Sequence, residues 1–90
     1  ISALFGTHTH TQTADEQTLP GGTGFLTDVG MTGPKRSVLG VRPDQSIAKM
    51  KDKLPVRFAT ADGPCRMDAV LLELDDKTGR TAHISRLQIE

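Results

Sequence analysis

Apolar and polar positions alternate along this chain in short bursts separated by glycine, proline and small polar residues. That spacing predicts an α/β protein of short elements. Residues 1–5 form an apolar run that Gly6 closes, which predicts a strand. Residues 7–22 predict a loop with at most one short turn, ending at Pro20-Gly21-Gly22. Residues 23–28 predict a second strand, with Phe25 alternating against small and polar neighbours. Residues 29–41 are loop-like, with a brief turn at Ser37-Val38-Leu39. Pro43 suits the first turn of a helix over residues 43–53, whose apolar face would join Ile47, Met50 and Leu54. Leu54-Pro55 would end that helix, residues 56–60 would form a strand, and Asp62-Gly63-Pro64 a turn. Residues 66–74 and 81–89 predict a hairpin across residues 75–79, with Gly79 in the left-handed position.

Ninety residues make at most one small domain, and residues 1–90 are expected to act as a single one. Hydrophobic residues make up 36% of the chain and the only rings are Phe5, Phe25 and Phe58, so the core is modest. Burial against further polypeptide would help such a fold. The low aromatic content argues against single-stranded nucleic acid bound by base stacking. No apolar run approaches the ~18 residues of a membrane span, and no signal-peptide pattern is present. A cytoplasmic location is the default expectation, and the single cysteine agrees with it.

Charge sums to zero but is unevenly spread. Residues 1–34 carry Asp15, Glu16 and Asp28 and no lysine or arginine. The basic residues Lys35, Arg36, Arg42, Lys49, Lys51, Lys53 and Arg57 follow, against Asp44 and Asp52. A basic middle attracts phosphate-bearing partners. Most of it reads as the solvated face of a helix, and Lys35 and Arg36, just after a glycine loop, are the candidates for reaching a phosphate.

The chemistry-bearing segment is Gly6-Thr7-His8-Thr9-His10, delivered by the first strand. In extended backbone, histidines at i and i+2 project to the same side. Neutral imidazoles placed so can enter one metal site or two adjacent ones. The triplet alone is weak evidence and reads more readily as a polar loop with two solvated histidines. The cation-free, acid-bearing surroundings favour a metal. Asp15 and Asp28 are candidates to accept a ring N–H from a ligating histidine, with Thr9, Thr11 and Thr13 as weaker partners. Asp15 could instead cap a turn in Thr13-Ala14-Asp15-Glu16. The stretch Val29-Gly30-Met31-Thr32-Gly33-Pro34 either borders a substrate site or connects two elements. His83, in the last strand, reads as a surface or half-buried residue, and Cys65 as a small apolar filler.

The strings Phe5-Gly6-Thr7-His8-Thr9-His10-Thr11-Gln12-Thr13-Ala14-Asp15, Leu19-Pro20 and Thr27-Asp28-Val29-Gly30-Met31-Thr32-Gly33-Pro34 resemble the C-terminal part of a bacterial metallophosphoesterase family. It belongs to the calcineurin-like superfamily and includes phosphodiesterases acting on 2′,3′-cyclic nucleotides. Leu54-Pro55-Val56-Arg57-Phe58 and residues 75–89 look like the family too. The resemblance implies part of a two-sheet sandwich with flanking helices, the late hairpin being structural. It implies that His8 binds one metal ion and His10 another, the pair being iron, manganese or zinc in divalent or mixed-valence form. The other ligands of such enzymes, including an Asn-His pair, lie upstream, and none can be matched here. The chain therefore reads as the C-terminal segment of a dinuclear phosphodiesterase, inactive by itself. Its expected partners are a phosphodiester or cyclic-nucleotide substrate and the remainder of the same enzyme. Its uncovered sheet edges would invite association, including self-association. The alternative is a small β-rich module that binds a metal ion or a protein and catalyses nothing.

Overall fold

A computed structural model describes residues 1–53, 57 and 59–90. The described elements, in chain order, are β1 (Ala3–Phe5), β2 (Gln17–Thr18), β3 (Gly24–Leu26), β4 (Thr32–Pro34), α1 (Pro43–Asp52), β5 (Cys65–Leu74) and β6 (Thr81–Ile89). They form an α/β protein with two small three-stranded sheets, ordered β1-β3-β2 and β4-β5-β6, and one helix among the described residues. The chain divides into two compact units. One holds residues 1–31 and 67–89, the other residues 32–66 with Glu90.

In the first unit β3 is central. It pairs parallel with β1 and antiparallel with β2. Its residues Gly24 and Leu26 are buried while Phe25 is half-buried, which is the period-2 pattern of a strand covered mainly on one face. Leu26 has no exposed surface. β2 corrects the reading of residues 7–22 as loop. Two residues are too few to show alternation, and β2 exists because Gln17 and Thr18 find partners in Phe25 and Gly24.

The hairpin forms as expected, from Met67 opposite Ile89 to Leu74 opposite Thr81, with a bulge between Glu73 and Leu74. Asp75 organises the turn. Its carboxylate accepts the amides of Lys77 and Thr78, and these bonds, the Thr78 amide foremost, hold its pKa below the usual carboxylate value. Gly79 takes φ +72°. β6 packs against β2 and β3. Alternation sends Asp68, Val70 and Leu72 to one face of β5 and leaves Met67 and Leu71 on the other, exposed along with Leu87 and Ile89 of β6.

In the second unit Pro43 opens α1 as expected, and Asp44 in the first turn and Lys49 and Lys51 in the last suit the helix dipole. Lys53 closes the helix with φ +52°, its amide donating to Lys49 O. The proposed apolar face is corrected. Ile47 and Met50 are 58% and 79% exposed, while Ser46 is buried. The tie that α1 makes to another segment comes from a polar residue, the Ala59 amide donating to Gln45 Oε1, and not from its largest apolar residues. The helix end and strand expected at Leu54-Pro55 and residues 56–60 fall largely outside the described residues; Thr60 bridges Val41. The brief turn at residues 37–39 is a tight loop closed by Val38 and Val41, with Leu39 and Gly40 at positive φ. β4 lies inside the stretch read as loop, because Gly33 and Pro34 hide strand propensity. Among the described residues Leu26 and Ala61 are the buried apolar side chains, so the core is as thin as the composition implies.

Candidate metal centre

β1 delivers the histidine loop and Gly6 fixes where it departs. The Gly6 amide donates to Thr27 O at 3.1 Å, and Gly6 O accepts the Val29 amide at 2.9 Å. A Cβ at Gly6 would collide with the Thr27 carbonyl, so only glycine permits this approach. The loop that follows is thereby tied to the chain leaving β3.

Residues 8–11 then bend. His10 adopts φ +62°, the left-handed region. This corrects the expectation of two imidazoles projecting from extended backbone. The cause is local. Asp28 Oδ2 accepts the Thr9 amide at 2.7 Å and the Thr9 hydroxyl at 2.8 Å, and Thr9 Oγ1 accepts the Thr11 amide at 3.3 Å. With Thr9 held from both backbone and side chain, the turn is taken up at His10. Left-handed backbone is strained for a residue with a Cβ, and histidine is among the types that tolerate it best. His8 and His10 are both exposed.

Asp28 is 1% exposed, and all its polar contacts serve the loop. Oδ1 accepts the Gly30 amide at 2.9 Å. Its own amide donates to Thr13 Oγ1, and its carbonyl accepts the Thr13 amide. Burial pushes its pKa upward, but the amides of Gly30 and Thr9, the Thr9 hydroxyl and nearby His10 outweigh burial and hold it below the ordinary value. Asp28 therefore stays an anion and positions the histidines through the backbone of Thr9.

Asp15 acts in a similar way on the neighbouring backbone. It accepts the hydroxyl and amide of Thr27 and the hydroxyl of Thr13. These bonds, the Thr27 hydroxyl foremost, lower its pKa from 3.8 to about 2. Asp15 thus braces the chain at Thr13 against the chain at Thr27. Glu16, next along, pairs with Arg86 of β6.

Lys35 and Arg36 belong to the second unit. Lys35 forms an ion pair with Glu90 at 2.8 Å, which holds the Glu90 carboxyl below its usual value, and Arg36 is exposed. His83 is exposed on β6 opposite Glu73, as a surface strand residue. Cys65 is an exposed free thiol, which corrects its reading as apolar filler. It opens β5 beside the exposed Gly63 and Pro64.

Two residues that shape this region escape sequence reasoning. Gln12 donates from Nε2 to the carbonyls of Ala69 and Leu87 at 3.1 and 3.2 Å. Asp68, buried on β5, exchanges backbone and side-chain bonds with Met31. The inward place of Asp68 in the β5 alternation is its available signal; Gln12, in a loop, has none.

Among the described residues no group of three or more His, Cys, Asp and Glu side chains stands close enough to enclose a metal ion. His8 and His10 are accessible imidazoles beside a carboxylate already committed to the backbone. Two such donors fit a metal only as part of a larger donor set.

These observations define an α/β protein of two small sheets that presents an exposed histidine pair on a carboxylate-braced loop. The chain belongs to the family described as YmdB-like protein, which matches residues 1–87. It is 47% identical over 88 residues to the 2′,3′-cyclic-nucleotide 2′-phosphodiesterase of Bacillus subtilis (strain 168), covering 98% of this chain and 33% of that protein. It is also similar to two crystal structures. One is a novel phosphatase from Mycoplasma pneumoniae, with 33% identity, TM-score 0.93 and coverage of 99% of this chain and 32% of that one. The other is a hypothetical protein from Thermus thermophilus, with 39% identity, TM-score 0.86 and coverage of 97% and 34%. The chain spans about a third of the length of these relatives.

Proposed function

We propose that this chain is the C-terminal segment of a cytoplasmic, calcineurin-like metallophosphoesterase that hydrolyses phosphodiesters such as 2′,3′-cyclic nucleotides. The observation that carries the reading is the histidine loop itself. Gly6-Thr7-His8-Thr9-His10 is held by a buried carboxylate, in a chain 47% identical to a segment of a named cyclic-nucleotide phosphodiesterase. The site would hold two metal ions, iron, manganese or zinc, which supply an activated water and a clamp on the phosphoryl oxygens.

His8 offers an imidazole to one ion and His10 to the other. An imidazole ligand brings no negative charge, so the carboxylates that would offset the metal charge come from the rest of the polypeptide. Asp28 fixes the backbone between the histidines, and the glycine at position 30 lets the chain curl back so that its amide completes the Asp28 cradle. The absence of lysine and arginine from residues 1–34 spares the ions a competing cation. Lys35 and Arg36 are the candidates to steer a phosphate toward the protein.

The test is hydrolysis of a 2′,3′-cyclic nucleotide and of an aryl phosphodiester by the complete polypeptide. His10→Ala should abolish both. Unchanged turnover would remove His10 from the site.

A further inference from the structure

Gln12 lies two residues beyond His10, and its side chain crosses to the hairpin. The two carbonyls that receive its Nε2, Ala69 O and Leu87 O, belong to one rung of β5 and β6. A single amide group therefore grips both strands of the hairpin at once. Its other end has a different character. Among the described residues, Gln12 Oε1 is the buried side-chain polar atom that finds no hydrogen bond. The orientation is forced, because rotating the amide would set its oxygen against two carbonyl oxygens.

A buried acceptor without a partner costs stability, and an unbranched apolar side chain would avoid that cost. A buried polar group of this kind calls for an explanation in its position. Around it, the same loop is tied down at Thr9 by Asp28, and Glu16 is tied to Arg86. Between these two ties, Gln12 is the link from the histidine loop to the hairpin.

We infer that Gln12 is a positioning residue for the metal loop, using the hairpin as a fixed frame that sets where His8 and His10 stand. The inference rests on the metal reading above. It gives β5 and β6 a role in the site although neither supplies a ligand.

The experiment compares the complete polypeptide with Gln12→Met, which matches length but removes both donors and the orphan acceptor. Gln12→Glu is the second variant, retaining size and acceptors without donors. Backbone amide exchange is read first, without metal. The amides of Thr9 and Thr11, bonded to Asp28 Oδ2 and Thr9 Oγ1, should exchange about 10-fold or more faster in both variants, while those of β3 stay protected. Manganese titration should then show affinity about 10- to 100-fold weaker, and kcat should fall with KM nearly unchanged. A merely structural role would loosen both sheets alike, and that pattern overturns the inference. So does unaltered exchange at Thr9 and Thr11. If the unsubstituted protein binds no manganese, zinc or iron, the metal reading fails, whereas the exchange data still decide whether Gln12 holds the loop.

Discussion

The buried carboxylate of Asp28 accepts both the amide and the hydroxyl of Thr9, the residue that separates His8 from His10. One anion thereby sets the backbone from which both imidazoles depart. A group that orients ligands is nearly as consequential as the ligands, because imidazoles held in place lose little freedom on binding. Asp28→Asn keeps the shape but in either orientation sets its NH2 group against a donor, at Thr9 or at Gly30. It should weaken metal binding in the complete polypeptide about 10- to 100-fold. Calorimetric titration with manganese or zinc measures this, and wild-type affinity would show that the anion is dispensable.

Asp15 yields a prediction about acid. Its pKa in the folded protein, about 2, lies below the ordinary 3.8 because Thr27 and Thr13 bond to the ionised form. A depressed folded pKa adds stability above the unfolded value and loses it as pH falls through the folded one. The contribution of Asp15 is therefore full above about pH 4 and gone near pH 2. Melting curves of wild type and Asp15→Asn, taken from pH 6 to pH 2, should converge across that window. A constant gap at all pH values would contradict the assignment.

Gly30 is required by its backbone and by its neighbour. It adopts φ +97°, and an added Cβ would lie 2.7 Å from the Asp68 Cβ. Gly30→Ala should therefore destabilise the protein by more than the roughly 1–2 kcal/mol that handedness alone costs. Asp68 must also move, which disturbs its bonds to Met31. Urea unfolding of the two proteins provides the comparison.

Leu26 is the fully buried apolar side chain at the centre of the β1-β3-β2 sheet. Leu26→Ala should cost about 2–5 kcal/mol, the usual range for truncating a core leucine. With so thin a core, that loss should be visible as a fall in melting temperature, and a change under ~1 kcal/mol would mean that the site collapses without penalty.

The regular elements are legible in the sequence because periodicity reports them directly. The hairpin shows two apolar-polar alternations around a glycine-bearing turn, and α1 shows Pro43 ahead of a charged repeat. β2 and β4 are hidden because Gln17-Thr18 and Thr32-Gly33-Pro34 carry no apolar signal, and partners recruit them. The exposure of Ile47 and Met50 is not legible because a helix pattern marks which residues share a side and not whether anything covers it. In the site, the histidine pair and its carboxylates are visible as residue types. The left-handed turn at His10 is not, since it follows from Asp28 gripping Thr9 across 19 positions of sequence. Gln12 is invisible for the same reason, its partners lying 57 and 75 positions away.

The central claim is that His8 and His10 each serve a separate metal ion, and metal content tests it most directly. The complete polypeptide, purified without added chelator, should carry close to two ions by elemental analysis. His8→Ala and His10→Ala should each retain about one, with melting temperatures showing that both variants fold. Wild-type metal content in both variants would contradict the account and return the two histidines to the solvated surface.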